Sequence, residues 1–393
     1  MKPKKVAIYF TDLFFLSSLD WFLPIIYNLK NFQFIFIIEN QKFFEKFKKN
    51  IFYEILNENC NIYFKVINVN NKNKDFFYIF KKLQIYKLLR YIYYKFFFIK
   101  LSNNKESINK KNKIKEYIKN NQFDLCIFQY ANFFTNFKKE INSKIILIPH
   151  SVEIKSKENV FSTCPKISDN DYDLILENTY YCEKSWKNVH GDKVRVKSIG
   201  LPRADINWIN DIVFKKYEKK LKNISKKSEI AVFFTRKTHP TSPYFENLNL
   251  NKEIIEALKL HNFFVIIKPH PNEDTSIYNQ YKHDKNIMIS DLPSSLLIKH
   301  MSLAIFTKSA IGLEIALNRK SSIQILSNKD KENIRSIEML NKKIYNTISI
   351  KQFSNYLEHK NYVKHKNENI FKYFQIKQDN TIRKGTALVF NLI

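Results

Sequence analysis

Between residues 263 and 314, two short apolar runs each close on a polar loop, and this pattern restricts the possible folds more than any other feature of the chain. The first run, 263–267, ends in Lys268-Pro269-His270-Pro271. The second, 302–306, ends in Thr307-Lys308-Ser309-Ala310. Both are of strand length rather than helix length. Between them Asp291-Leu292-Pro293 gives a helix-start signal before an apolar, lysine-bearing segment. Strands that alternate with helices predict an α/β fold with a parallel sheet. In such sheets ligands bind beyond the carboxyl ends of the strands, so both polar loops are expected to line one crevice.

The chemistry of that crevice reads as anion binding. Ser309 precedes a helical pattern, Ala310-Ile311-Gly312-Leu313-Glu314, whose first-turn N–H groups and dipole favour a phosphate. Gly312 allows close backbone approach, in a chain with only four glycines. Prolines on either side hold the His270 loop out of helical geometry and fix where the imidazole points. A loop histidine and an ordinary capping serine are the simpler explanations of each residue alone.

The same alternation runs through the first half. Residues 5–10, 33–38, 61–69, 123–129, 144–148 and 171–177 read as strands, as do 229–234 and 321–326 further on. A loop and an apolar helix fill 11–31, a lysine-rich loop and helix 103–121, and a basic helical stretch 211–227. A helix at 251–260 leads into the Lys268 strand, and terminal helices are expected over 350–373. No glycine-rich phosphate loop follows the first strand, which argues against a dinucleotide-dependent oxidoreductase.

The 393 residues suffice for about two domains. The net charge of +29 points to nucleic acid, an anionic membrane surface or an acidic substrate, although the abundance of Lys, Asn and Ile also fits compositional drift on solvated faces. The basic residues are spread along the chain with no recognition motif, so nucleic acid is not the expected partner. The four cysteines are scattered and lack zinc spacing, which fits a reducing compartment and no bound metal. No signal peptide or spanning segment is evident, and a cytoplasmic protein is expected. Residues 75–101 interleave aromatics and lysines at helical intervals. They read equally as a helix on a membrane surface or as a core helix whose lysine stems reach outward.

The Lys268-Pro269-His270-Pro271 loop, the Asp291-Leu292-Pro293 helix start and the serine-bearing strand end together resemble the nucleotide-binding half of GT-B glycosyltransferases. Among these they are most similar to the CDP-glycerol glycerophosphotransferases and the sialyl- and polysialyltransferases of bacterial surface polysaccharide. The passage over 193–205, with Gly200, Pro202, Arg203 and Asp205, is similar to the one that closes the first domain of many such enzymes. Arg203 there either reaches the crevice or pairs with Asp205. The resemblance implies two Rossmann-like domains facing a cleft: residues 1–206 for the acceptor, 207–350 for the nucleotide donor, and 351–393 as helices that cross back.

It also implies that His270 and Ser309 contact the donor nucleotide and its phosphate, with Lys268, Pro271, Thr307 and Gly312 beside them. Arg236 and Lys237, in the loop after the first strand of the second domain, are expected to hold donor phosphates by a planar fork and a point charge. The serine pair usual in the relatives is Ser309-Ala310 here, and the glycine usual after the first-domain histidine is Ser151. His150, at the end of the 144–148 strand, is the candidate general base, with Glu153 as its competitor. The expected activity is metal- and cofactor-independent transfer of a glycosyl or polyol-phosphate unit. The donor is a nucleotide-activated unit, cytidine favoured, and the acceptor a saccharide or lipid-linked surface polymer. The enzyme is expected at the inner membrane of a bacterium. A hydrolysing nucleotide-sugar 2-epimerase of the same fold, and a non-catalytic basic nucleic-acid-binding protein, are the alternatives.

Overall fold

The computed structural model describes residues 3–12, 15–59, 61–67, 105–129, 137–149, 171–193, 195–221, 224, 229–235, 248–270, 273, 275–307, 309, 311–326, 346–359, 376 and 380–393. Among these, the first half holds strands β1 (Lys4–Tyr9), β2 (Phe32–Ile38), β3 (Asn61–Val66), β4 (Leu125–Gln129), β5 (Lys144–Ile148), β6 (Leu174–Glu177) and β7 (Val196–Ser198). They form one sheet in the order β3-β2-β1-β4-β5-β6-β7, and every pairing is parallel. The second half holds β8 (Ile230–Phe234), β9 (Phe264–Lys268), β10 (Ile287–Ile289), β11 (Leu303–Phe306), β12 (Ser321–Leu326) and β13 (Asn346–Ser349). Their order is β10-β9-β8-β11-β12-β13, again all parallel.

Helices connect the strands: α1 (Phe15–Asn28), α2 (Gln41–Phe47), α3 (Ile51–Asn59), α4 (Lys105–Asn121) and α5 (Tyr180–His190) in the first half, then α6 (Lys215–Leu221), α7 (Leu248–Leu260), α8 (Ser294–His300), α9 (Ile311–Leu317), α10 (Ile350–Glu358) and α11 (Thr381–Phe390). Local chemistry starts several of them. Asn40 caps α2 by accepting from Phe43 N–H at 2.8 Å, and Thr179 caps α5 by accepting from Cys182 N–H at 3.1 Å. Ser349 and Gln352 make a capping box at α10. Between β7 and α6 lie a short turn, Pro202–Ala204, and a π-helix, Trp208–Phe214. Gly200 enters this passage at φ +86°, a conformation that a side chain disfavours.

Along the central strands both faces of each sheet are buried, as a parallel sheet with helices on both sides requires, while the edge strand β3 is partly exposed. On β1, Val6 and Ile8 point to one face while Ala7 and Tyr9 point to the other. The first of these faces belongs to an apolar cluster that continues through α1, Leu201 and Trp208 to Val232, Ala304 and Leu313 around the second sheet. The inner faces of the two halves therefore share one core. The terminal helix α11 lies against α1, where Gly385 is so close that an added Cβ would meet Ile25 Cδ1 at 2.5 Å. Strands β10 and β13 and helices α2, α3 and α5 were not anticipated from the sequence.

Candidate active site

Parallel pairing in register brings the carboxyl ends of β9, β8 and β11 to one edge of the second sheet, because Phe234 lies beside both Lys268 and Phe306. Thr235, Lys268, His270, Thr307 and Ser309 follow from those strand ends, so the two polar loops seen in the sequence do share an edge. His270 is exposed there.

Glu273 holds the His270 loop. Its Oε2 accepts from the His270 N–H at 3.1 Å and from the Thr235 hydroxyl, and its Oε1 accepts from the Tyr278 hydroxyl at 3.0 Å. Asn251 Nδ2 donates to that same tyrosine oxygen at 3.1 Å. The His270 carbonyl closes the turn by accepting from Glu273 N–H at 2.8 Å. Burial raises the Glu273 carboxyl, and the hydrogen bonds from Thr235, His270 and Tyr278 oppose that rise. Thr307 is 2% exposed, and its hydroxyl has no hydrogen-bond partner. Ser309 Oγ accepts from Ile311 N–H at 3.3 Å, a capping contact. Gly312 lies buried inside α9.

Lys268 and Arg203 are two cations that share Asp20 as an electrostatic neighbour. Burial lowers the Lys268 amine to about 8, although Asp291 and Asp20 act to raise it. Arg203 settles the alternative left open by the sequence, since it does not pair with Asp205. One guanidinium nitrogen meets Asp20 Oδ2 on α1 at 3.0 Å, and the other meets Glu314 Oε2 on α9 at 2.9 Å. Asp205 instead accepts from the Asn207 N–H at 3.0 Å and from the Thr381 hydroxyl at 3.2 Å. Glu314 is 1% exposed, and burial pushes its carboxyl up to about 7 despite Arg203, with Asp20 adding to the rise. Burial also raises Asp20, against the pull of Arg203 and Lys268.

Sequence reasoning missed Asp20, Glu273 and Glu314 and took Asp291 only as a helix-start signal. Two of them left a trace, because Asp20 and Glu314 are the lone charges in otherwise apolar helices. His150, Glu153, Arg236, Lys237 and Pro271 lie outside the described residues, as does the 75–101 stretch.

Residues 47–305, well over half of the chain, match the CDP-Glycerol:Poly(glycerophosphate) glycerophosphotransferase family. The chain belongs to that family. Members are transferases, and this glycerophosphotransferase-family chain draws its transferred unit from a nucleotide-activated donor. Solved structures agree on a GT-B fold. The wall teichoic acid polymerase TagF superposes with a TM-score of 0.56 at 12% identity, over 99% of this chain and 88% of that one. S. aureus MnaA, solved with UDP, gives 0.57 at 11% identity, over 99% and 98%. The UDP-GlcNAc 2-epimerase from Methanocaldococcus jannaschii gives 0.56 at 13%, over 99% of each chain. At such identities the likeness is one of fold. Comparison with curated proteins gives no match. Among the described residues no helix is long and apolar enough to cross a membrane.

Proposed function

We propose that this chain moves a glycosyl or polyol-phosphate unit from a cytidine-nucleotide donor to a surface-polysaccharide acceptor, without a metal ion. The observation that carries the reading is the convergence of Lys268, exposed His270, Thr235, Thr307 and Ser309 on one sheet edge, in a family described by CDP-glycerol. Lys268, with Arg236 and Lys237, neutralises the charge that develops on the departing nucleotide phosphate. The unpartnered Thr307 hydroxyl and Ser309 supply hydrogen bonds, and His270 together with Pro271 lines the nucleotide. An acceptor hydroxyl attacks the transferred unit, its bond to the nucleotide breaks, and the nucleotide leaves with the electron pair. His150 or Glu153 takes the hydroxyl proton. The high net positive charge and the 75–101 stretch hold the enzyme at an anionic inner-leaflet surface, where a lipid-linked acceptor would be found.

A thermal-shift panel of CMP, CDP, UDP and GDP on the wild type and His270→Ala tests the reading. A nucleotide at a hundred times its dissociation constant stabilises the fold by about 2.7 kcal/mol. A cytidine nucleotide should shift the wild type, and His270→Ala should reduce that shift. Transfer from CDP-glycerol should survive EDTA. No shift with any nucleotide, or turnover of UDP-GlcNAc alone without an acceptor, would overturn the proposal.

A further inference from the structure

We infer that Arg203 is a positioning residue for the transfer: it clamps α1 to α9 through Asp20 and Glu314, and so sets the geometry of the cleft in which the donor sits. The inference rests on the proposed donor site. Arg203 stands on the turn just after β7, the last strand of the first sheet. Its two carboxylate partners come from opposite halves of the molecule, Asp20 from the helix after β1 and Glu314 from the helix after β11. The guanidinium donates a hydrogen bond to Asp20 and forms an ion pair with Glu314 through separate nitrogens, two directions that a single lysine ammonium does not span.

Two features tie the clamp to the donor loops. Glu314 lies on the helix that follows Thr307 and Ser309, so fixing Glu314 fixes the placement of that strand-end loop. Asp20 lies within electrostatic reach of Lys268 as well as in contact with Arg203, so the clamp and the phosphate-facing cation share one carboxylate. Arg203 and Lys268 thus confront three acids, Asp20, Asp291 and Glu314. Burial raises the carboxyls of Glu314 and Asp20, so the clamp depends on whether these two hold protons.

The test measures CDP affinity by calorimetry across pH 5.5 to 9.5, about 1.5 units beyond the ionisations of interest. The proteins are the wild type, Arg203→Lys and Glu314→Gln. With the clamp formed only when Glu314 is ionised, wild-type affinity should weaken below about pH 7, where Glu314 takes up a proton. It should weaken again above about pH 8, where Lys268 loses one. Glu314→Gln, which keeps a side-chain oxygen for Arg203, should lose the acid limb and retain the alkaline one. Arg203→Lys should bind CDP about tenfold more weakly, a loss of about 1.4 kcal/mol. Its KM for the donor should rise more than its kcat falls. A folded Arg203→Lys that binds CDP as the wild type does would overturn the clamp. So would a Glu314→Gln profile parallel to the wild type, a result that stands even where Arg203→Lys does not fold. A wild type that binds no CDP at any pH would instead sink the donor reading beneath it.

Discussion

Replacement of Lys268 by methionine should stabilise the protein and at the same time weaken nucleotide binding. Burial brings the amine from its ordinary 10.5 to about 8, so the protonated form is disfavoured in the fold even with Asp291 and Asp20 nearby. A pKa unit is worth about 1.4 kcal/mol, and the full difference comes to about 3 kcal/mol. Lys268 is half-buried, so water screens part of this and leaves ~1–3 kcal/mol. The folded pKa lies below the unfolded one, so the penalty is fully present below about pH 8 and fades as the pH rises toward 10.5. Methionine keeps the length and apolar character of the stem and removes the charge. Thermal unfolding at pH 7 should show Lys268→Met a few degrees above the wild type, since about 1 kcal/mol corresponds to roughly 2–4 °C in domains of this size. The gain should shrink when the scan is repeated near pH 10, while CDP binding at pH 7 drops at least tenfold, about 1.4 kcal/mol or more. A variant less stable at pH 7, or a gain that does not change with pH, would refute the argument that amine burial is the cause.

Three further perturbations follow from the geometry. Glu273→Ala removes the acceptor for His270 N–H and for Tyr278, and should lower stability by about 1–3 kcal/mol and raise the donor KM; urea melts and steady-state kinetics check both. Gly385→Ala places a Cβ 2.5 Å from Ile25 Cδ1, so the crowding, about 1–3 kcal/mol, should exceed the roughly 1 kcal/mol gained in helix propensity; chemical denaturation decides the sign. Trp186→Phe deletes the donor that meets the buried Glu177 Oε1 at 2.6 Å, and should cost about 1–3 kcal/mol in the same assay without a change in donor KM.

The sheet strands were legible where four or more consecutive apolar residues are bounded by polar ones, as in β5, β8 and β9. β10 is only Ile287–Ile289, and β13 reads Asn-Thr-Ile-Ser, so neither shows a period that a short window detects. Helix α11 was expected only through the resemblance, because Thr381, Gly385 and Thr386 dilute its apolar face. In the site, the His270 and Ser309 loops were visible because prolines and small polar residues mark strand ends. The Arg203 clamp was not, because Asp20 lies 183 residues earlier in the chain and only the packing of the two halves brings the three groups together. The sequence offered Asp205 as the nearer partner, and backbone capping had already claimed it.

The placement of α11 on α1 bears on how the chain is made. As the polypeptide leaves the ribosome, residues 1–200 can pair their seven strands, yet Ile25 and Ile199 lack their contact with Gly385 until α11 has been made. The Asp205–Thr381 hydrogen bond closes late for the same reason. Until α11 has been made the first half therefore presents an unfinished apolar seam, a surface that a chaperone would recognise. A stop codon ahead of α11 would damage the N-terminal half first, although every residue of that half had already been made.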